Sequence, residues 1–276
     1  MRLVRYAYDE KEAIGVLEGE TISELDVDGD GEIPPIVAAA RGSADVETTG
    51  VEINTEDVTL RAPIERPGKI ICLGLNYRDH AEEGGNEVPE EPLLFSKATS
   101  AVNDPNGPVV HPADIEQLDY EAEIAIIIGK AGHRIDATDA FDHVAGYTAF
   151  NDVTARDVQY GFSQYFRGKS FDTFAPMGPA MATADDFDPT DREIRALVNG
   201  DVRQESSTEQ MIFDVPTTVE SVSQTMTLYP GDVIATGTPP GVGVHRDPPL
   251  LLEPGDEVTI EVQGIGALQN QIVEES

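Results

Sequence analysis

The chain contains no tryptophan, a single cysteine at position 72, and only five lysines, at positions 11, 69, 97, 130 and 169. One cysteine rules out an intrachain disulfide framework and fits a reducing compartment. No apolar run approaches the roughly 18–20 residues that a membrane-spanning helix requires. The opening stretch MRLVRYAYDEKEAIGV lacks the apolar segment of a secretory signal and reads as a charged strand, so a soluble, cytoplasmic protein is expected. Positive charge is also scarce: 18 Lys and Arg stand against 52 Asp and Glu, for a net charge of −34. Nucleic acid and anionic membrane both need a basic surface, so neither is an expected partner.

The acids are spread along the whole length and interleaved with a normal apolar pattern, which favours a folded protein with an acidic surface over disorder. Acid-rich, lysine-poor composition resembles that of salt-in halophile proteins, where molar salt shortens the Debye length to about 3 Å and makes self-repulsion tolerable. With 276 residues, 39% of them hydrophobic, the chain can bury a large core. Residues 1–62 read as a small N-terminal domain of short strands (Met1–Tyr8, Ala13–Leu17) and one brief helical piece (Ile36–Ala40). The run Arg61-Ala62-Pro63 followed by Arg66-Pro67-Gly68 marks a boundary, and residues 68–276 form the second, catalytic domain. Asp26-Val27-Asp28-Gly29-Asp30-Gly31 imitates the first half of a calcium loop. The twelfth position, which should hold a bidentate Glu, is Val37, so the segment reads as a solvated acidic turn.

The larger unit shows many short strands and few helices, which predicts a mostly β, α+β fold, curled or barrel-like. Expected strands include Lys69–Leu73, Pro92–Lys97, Val144–Phe150, Gly178–Ala184 and Asp232–Thr236. Expected helices are Asn76–Glu83, Ala137–Asp142, Thr154–Tyr160 and Pro216–Thr227. Asn199-Gly200-Asp201 between two apolar runs is a hairpin signal.

The stretch Gln117–Lys130, QLDYEAEIAIIIGK, stands out from this background. Ile124–Ile128 is a buried-strand pattern closed by Gly129. On a strand Asp119, Glu121 and Glu123 share one face. Two readings are open: an exposed acidic strand end, or carboxylates converging on a hard cation such as Mg²⁺ or Mn²⁺ that relieves their repulsion. Asp152, at the end of the next strand, is placed to be a third ligand, and three carboxylates leave positions open for water and substrate. Lys169, in the turn Phe166-Arg167-Gly168-Lys169-Ser170, is suited to polarise a carbonyl or stabilise an enolate beside a cation. His80 and Glu83, at i and i+3 on one helix face, suit an imidazole base oriented by a carboxylate. His111, His133, His143 and His245 have no such setting and read as structural or surface residues.

The segments GLNYRDHAEE, PLLFSK, DYEAEIAIIIGK, GYTAFNDVTARDVQ, RGKSFDTFAPMGP and GDVIATGTPPGVG, in this order, resemble the fumarylacetoacetate hydrolase superfamily from about Gly68 to the C-terminus. The resemblance implies a pseudo-barrel of mixed sheet, a homodimer, and Mg²⁺ or Mn²⁺ on Glu121, Glu123 and Asp152. It also implies substrate contacts from Lys97, Gln159 and Thr238, catalysis by Lys169, and a His80–Glu83 pair on a lid as in acylpyruvases. The small-molecule partner is then a 2-oxo acid. Hydrolysis of acylpyruvate-like 2,4-dioxo acids is the first expectation. Isomerisation or decarboxylation of dicarboxylic 2-oxo acids, with Arg78, Arg156 or Arg167 meeting a distal carboxylate, is the alternative. Dehydration of a 2-keto-3-deoxy sugar acid is a third, and a non-catalytic metal-binding module a fourth.

Overall fold

The strand Ala122–Ile128 is buried at every position and lies in the middle of the main sheet. Isoleucine fills it because a β-branched side chain packs well on a pleated surface that is covered on both faces. A computed structural model describes residues 1–9, 11–27, 31–42 and 46–275. Asp28, Gly29 and Asp30 of the calcium-loop-like segment lie outside the described residues.

Ala122–Ile128 pairs antiparallel on one side with Val144–Asn151, also buried throughout, and on the other with Val233–Ala235. Val233–Ala235 runs parallel to Ile70–Gly74, which pairs with the edge strand Leu93–Lys97. In the opposite direction the order continues through Ala175–Thr183, Arg2–Tyr8, Lys11–Glu18 and Thr21–Asp26 to Glu47–Asn54. The N-terminal strands therefore extend the sheet that carries the site, through the pairing Leu3↔Met181. A second sheet, in the order Asp201–Ser207, Glu193–Val198, Glu257–Val262, Gly266–Glu274 and Val109–His111, packs on the central strands. The fold is the mostly β, curled mixed sheet that the strand pattern predicts.

The Asn-Gly turn forms as expected. Asn199 and Gly200 both take positive φ (52° and 82°), as a two-residue hairpin loop requires, and join Glu193–Val198 to Asp201–Ser207. Among the described residues the α-helices are Pro35–Ala40, Arg78–Glu83, Arg156–Gly161, Phe166–Lys169 and Val215–Thr225, and Ala137–His143 is the longest of several 3₁₀ segments. Thr154 and Ala155 are not helical: they pair with Leu118–Asp119 in a two-stranded bridge that delays the helix to Arg156.

Candidate active site

The reading of an exposed acidic strand end is overturned. Glu121, Glu123 and Asp152 are all buried, and each offers an oxygen that lies within 4.8 Å of the other two. Glu121 and Asp152 are joined by a backbone bond, the Asp152 N–H donating to the Glu121 carbonyl at 3.0 Å. Asp119 does not belong with them. The chain leaves strand geometry at Tyr120–Glu121, and Asp119 turns instead to accept from Arg156 Nε (2.9 Å) and from the Gly243 and Val244 N–H groups (2.8 and 3.1 Å).

Two buried lysines balance the trio. Lys169 Nζ donates to Glu121 Oε2 at 2.7 Å and to Asp152 Oδ2 at 2.8 Å, and Lys97 pairs with the other Asp152 oxygen while donating to the Val153 carbonyl at 3.1 Å. Arg156 Nη2 lies 2.7 Å from Glu121 Oε1. Burial alone would raise the Glu121 carboxyl, but Lys169, Arg156 and, more weakly, His80 hold it down at about 2. Burial would likewise lower the Lys169 ammonium, yet Asp152 and Glu121 outweigh it and keep it above its usual value. Lys97 goes the other way, since burial, aided by the like charge of Lys169, exceeds the pull of Asp152.

Glu123 is the member left short. Burial first, then Asp152 and Glu121, push its carboxyl well above the usual range. Its Oε2 accepts the Gly237 N–H at 2.9 Å, while Oε1 is buried and accepts no hydrogen bond among the described residues. Gly237 (φ 90°) has to be glycine to make that bond, because a Cβ there would sit 2.8 Å from Asn76 Cβ. A buried, unpartnered carboxylate oxygen beside two other carboxylates is the environment that a hard cation satisfies. The residues therefore fit a divalent ion.

The helix Arg78–Glu83 stands over a base fixed by Asn76, whose side chain donates to the Thr236 and Phe213 carbonyls and accepts the Phe213 N–H. His80 Nδ1 and Glu83 Oε2 are 3.1 Å apart, so the expected pair forms. Glu83 also accepts the Gly241 N–H at 3.0 Å, which ties the helix to the loop after Val233–Ala235. The reading of His245 as a structural or surface residue is incomplete. Its ring stacks on His80 with centroids 5.6 Å apart, and its Nδ1 lies 3.9 Å from Glu83 Oε2. Burial, then His80 and Arg156, hold the His245 imidazole below its usual value. Position 245 lies far from 80 in sequence, and only the turn of the glycine-rich loop joins them. A histidine closing a Gly/Pro loop was the one available signal.

Gln159 and Thr238 are buried near the trio, but the Gln159 carbonyl oxygen and the Thr238 hydroxyl are engaged. Gln159 Oε1 accepts from Arg156 Nη1 at 3.0 Å, and the Thr238 hydroxyl donates to the Ala122 carbonyl and accepts from Gln204 Nε2, each at 2.9 Å. Of the arginines considered for a distal carboxylate, Arg156 is consumed by Asp119 and Glu121. Arg78 and Arg167 are exposed, and Arg167 lies over the Phe162 ring at 4.6 Å.

Comparison with known proteins bears on this arrangement. Residues 69–273 match the family described as fumarylacetoacetate (FAA) hydrolase C-terminal, and residues 1–63 match that described as Rv2993c-like, N-terminal. The oxaloacetate tautomerase FAHD2A, mitochondrial, of Bos taurus is 49% identical over 220 residues, covering 79% of this chain and 70% of that protein. Among solved structures, a fumarylacetoacetate hydrolase from Exiguobacterium antarcticum superposes with a TM-score of 0.87 at 40% identity, covering 100% of both chains. A 2-hydroxyhepta-2,4-diene-1,7-dioate isomerase from Mycobacterium marinum gives 0.84 at 38% identity, covering 100% of this chain and 99% of that one.

Proposed function

The chain belongs to the fumarylacetoacetate hydrolase family, and from that premise we propose that it is a divalent-metal-dependent isomerase that interconverts the keto and enol forms of a dicarboxylic 2-oxo acid such as oxaloacetate. The observation that carries this reading is a cation-seeking carboxylate trio beside one oriented imidazole, His80, that lies near enough to help hold the Glu121 carboxyl down. Tautomerisation requires stabilised negative charge on a keto oxygen and a single group that removes a proton and returns it. It requires no positioned water. The names of the similar tautomerase and isomerase support the same choice.

A divalent ion held by Glu121, Glu123 and Asp152 would supply Lewis-acid stabilisation of the oxygen that gains charge. Lys169, fixed between Glu121 and Asp152, adds positive charge at the same place. The bond from His80 Nδ1–H to Glu83 leaves the lone pair on Nε2, which takes the proton from C3 of the substrate as the C3–H electron pair forms the C2=C3 bond and the C2=O π pair moves onto the oxygen. Nε2–H then returns the proton to the enol oxygen, or to C3 in the reverse direction. Glu83, pinned by Gly241, keeps the ring in that orientation.

The second reading is hydrolysis of acylpyruvates, the first expectation of the sequence. It uses the same His80–Glu83 pair to activate a water. The two are separated by following the ultraviolet absorbance of enol-oxaloacetate with Mg²⁺ present, alongside pyruvate release from acylpyruvates. Accelerated ketonisation that falls by about 10²–10⁴ in His80→Ala supports the isomerase. Pyruvate release from acylpyruvates with no acceleration of ketonisation moves the assignment to the hydrolase.

A further inference from the structure

We infer that His80, Glu83 and His245 form a second cation site, separate from the carboxylate trio, that takes a transition-metal ion of the zinc class between the helix Arg78–Glu83 and the loop ending at His245. Each of the three offers a ligand atom, and these atoms all lie within 4.8 Å of one another. Glu83 Oε2 is 3.1 Å from His80 Nδ1 and 3.9 Å from His245 Nδ1. Donors at zinc bond lengths of about 2.0–2.2 Å in a tetrahedron lie roughly 3.3–3.6 Å apart, so the two distances bracket the required span. Small rotations of the side chains suffice to complete it.

The donor set selects the metal. Two imidazoles and one carboxylate suit zinc and its neighbours, whereas Mg²⁺ prefers an all-oxygen shell and sheds water reluctantly. The trio offers only oxygen, so the two sites divide hard from borderline cations. The Gly241 N–H is shared between the two Glu83 oxygens, at 3.0 Å from Oε1 and 3.2 Å from Oε2, which fixes the carboxylate with Oε2 toward both imidazoles. No hydrogen bond among the described residues reaches the His245 ring, so its lone pair is uncommitted. Side-chain exposures of 12% for His80, 31% for Glu83 and 37% for His245 leave room for entry and for a water as fourth ligand. Occupancy would cross-link helix and loop and take His80 Nδ1 out of its bond with Glu83.

The test uses zinc chloride titrated calorimetrically into the full chain carrying Glu123→Gln, which disables the trio, with Mg²⁺ in excess. One zinc per chain is expected, and adding His245→Gln should weaken it at least tenfold. His245 lies on a partly exposed turn, so glutamine is accommodated, and circular dichroism checks the fold. X-ray absorption at the zinc edge of the Glu123→Gln protein gives an answer that does not depend on the second variant: a shell containing two imidazoles is expected. Unchanged zinc affinity in the His245→Gln variant, no zinc bound by the Glu123→Gln protein, or a shell without imidazole overturns the site.

Discussion

Ala122–Ile128 and Glu47–Asn54 belong to one sheet and both stand in acid-rich sequence, yet they use it in opposite ways. Every residue of the first is buried, and its carboxylate Glu123 is fully enclosed. All but one residue of the second, the outermost strand, is exposed, and Glu47 and Glu52 point to water. A solvated carboxylate on an edge strand is cheap and wards off edge-to-edge pairing. Enclosed ones are tolerated only with partners: Glu121 and Asp152 have Lys97, Lys169 and Arg156, while Glu123 has the Gly237 N–H and a site shaped for a cation. The same residue type is solubilising at the rim and chemical at the centre.

Alanine substitution should expose that contrast most strongly. Asp152→Ala strands Lys97 in the interior and leaves Lys169 with Glu121 alone, and loss of one partner of a buried ion pair costs about 3–5 kcal/mol, read as a large drop in the urea midpoint. Glu47→Ala should stay within about 0.5 kcal/mol of the parent in the same titration. Equal effects at the two positions would dissolve the distinction.

Proton linkage gives the next effect. The Glu123 carboxyl is raised in the folded chain, so without a cation the native state holds the proton longer than the unfolded one, and stability falls as pH rises through the ordinary carboxylate range toward the raised value. A cation removes that penalty. Added Mg²⁺ should therefore lift the thermal midpoint more at about pH 8 than at about pH 5. Glu121, held at about 2, acts in the opposite sense: its contribution is present above the unfolded carboxylate value and is lost only as pH falls toward 2.

Salt should separate the regions more gently. Raising KCl from about 0.15 M to about 1 M shortens the Debye length from about 8 to about 3 Å, relieves the repulsion of a −34 surface and raises the thermal midpoint. The charge-reduced variant Glu47→Gln/Glu52→Gln should gain slightly less from the same salt. The cation affinity of the buried trio should shift least of all.

Much of this was legible in the chain. The i, i+2 spacing of Glu121 and Glu123 before an isoleucine run put converging carboxylates among two open readings, because strand periodicity is local. The i, i+3 pair His80 and Glu83 was legible for the same reason on a helix. Asp119, two residues earlier, was misplaced because the strand breaks at Tyr120–Glu121, and that break follows from the distant partners Arg156, Gly243 and Val244. The strands Thr21–Asp26 and Glu47–Asn54 were missed: the first offers only Ile22 and Leu25, three apart and so off the strand period, and the second is an exposed polar edge strand without clear alternation. The strand Ala175–Thr183 was expected to begin only at Gly178, because Pro176 argues against a central strand. The lysine bridges and His245 depend on contacts more than 15 residues apart in sequence, where no local pattern reaches.

The most direct test of the central claim is a calorimetric titration of Mn²⁺ into the metal-stripped wild type and into Glu123→Gln. If the orphaned Glu123 oxygen completes a cation site, the wild type binds one Mn²⁺ per chain, and the variant, with the other two carboxylates intact, binds at least about 100-fold more weakly. Equal affinity in the two proteins would contradict the claim and return Glu121, Glu123 and Asp152 to a purely internal charge network.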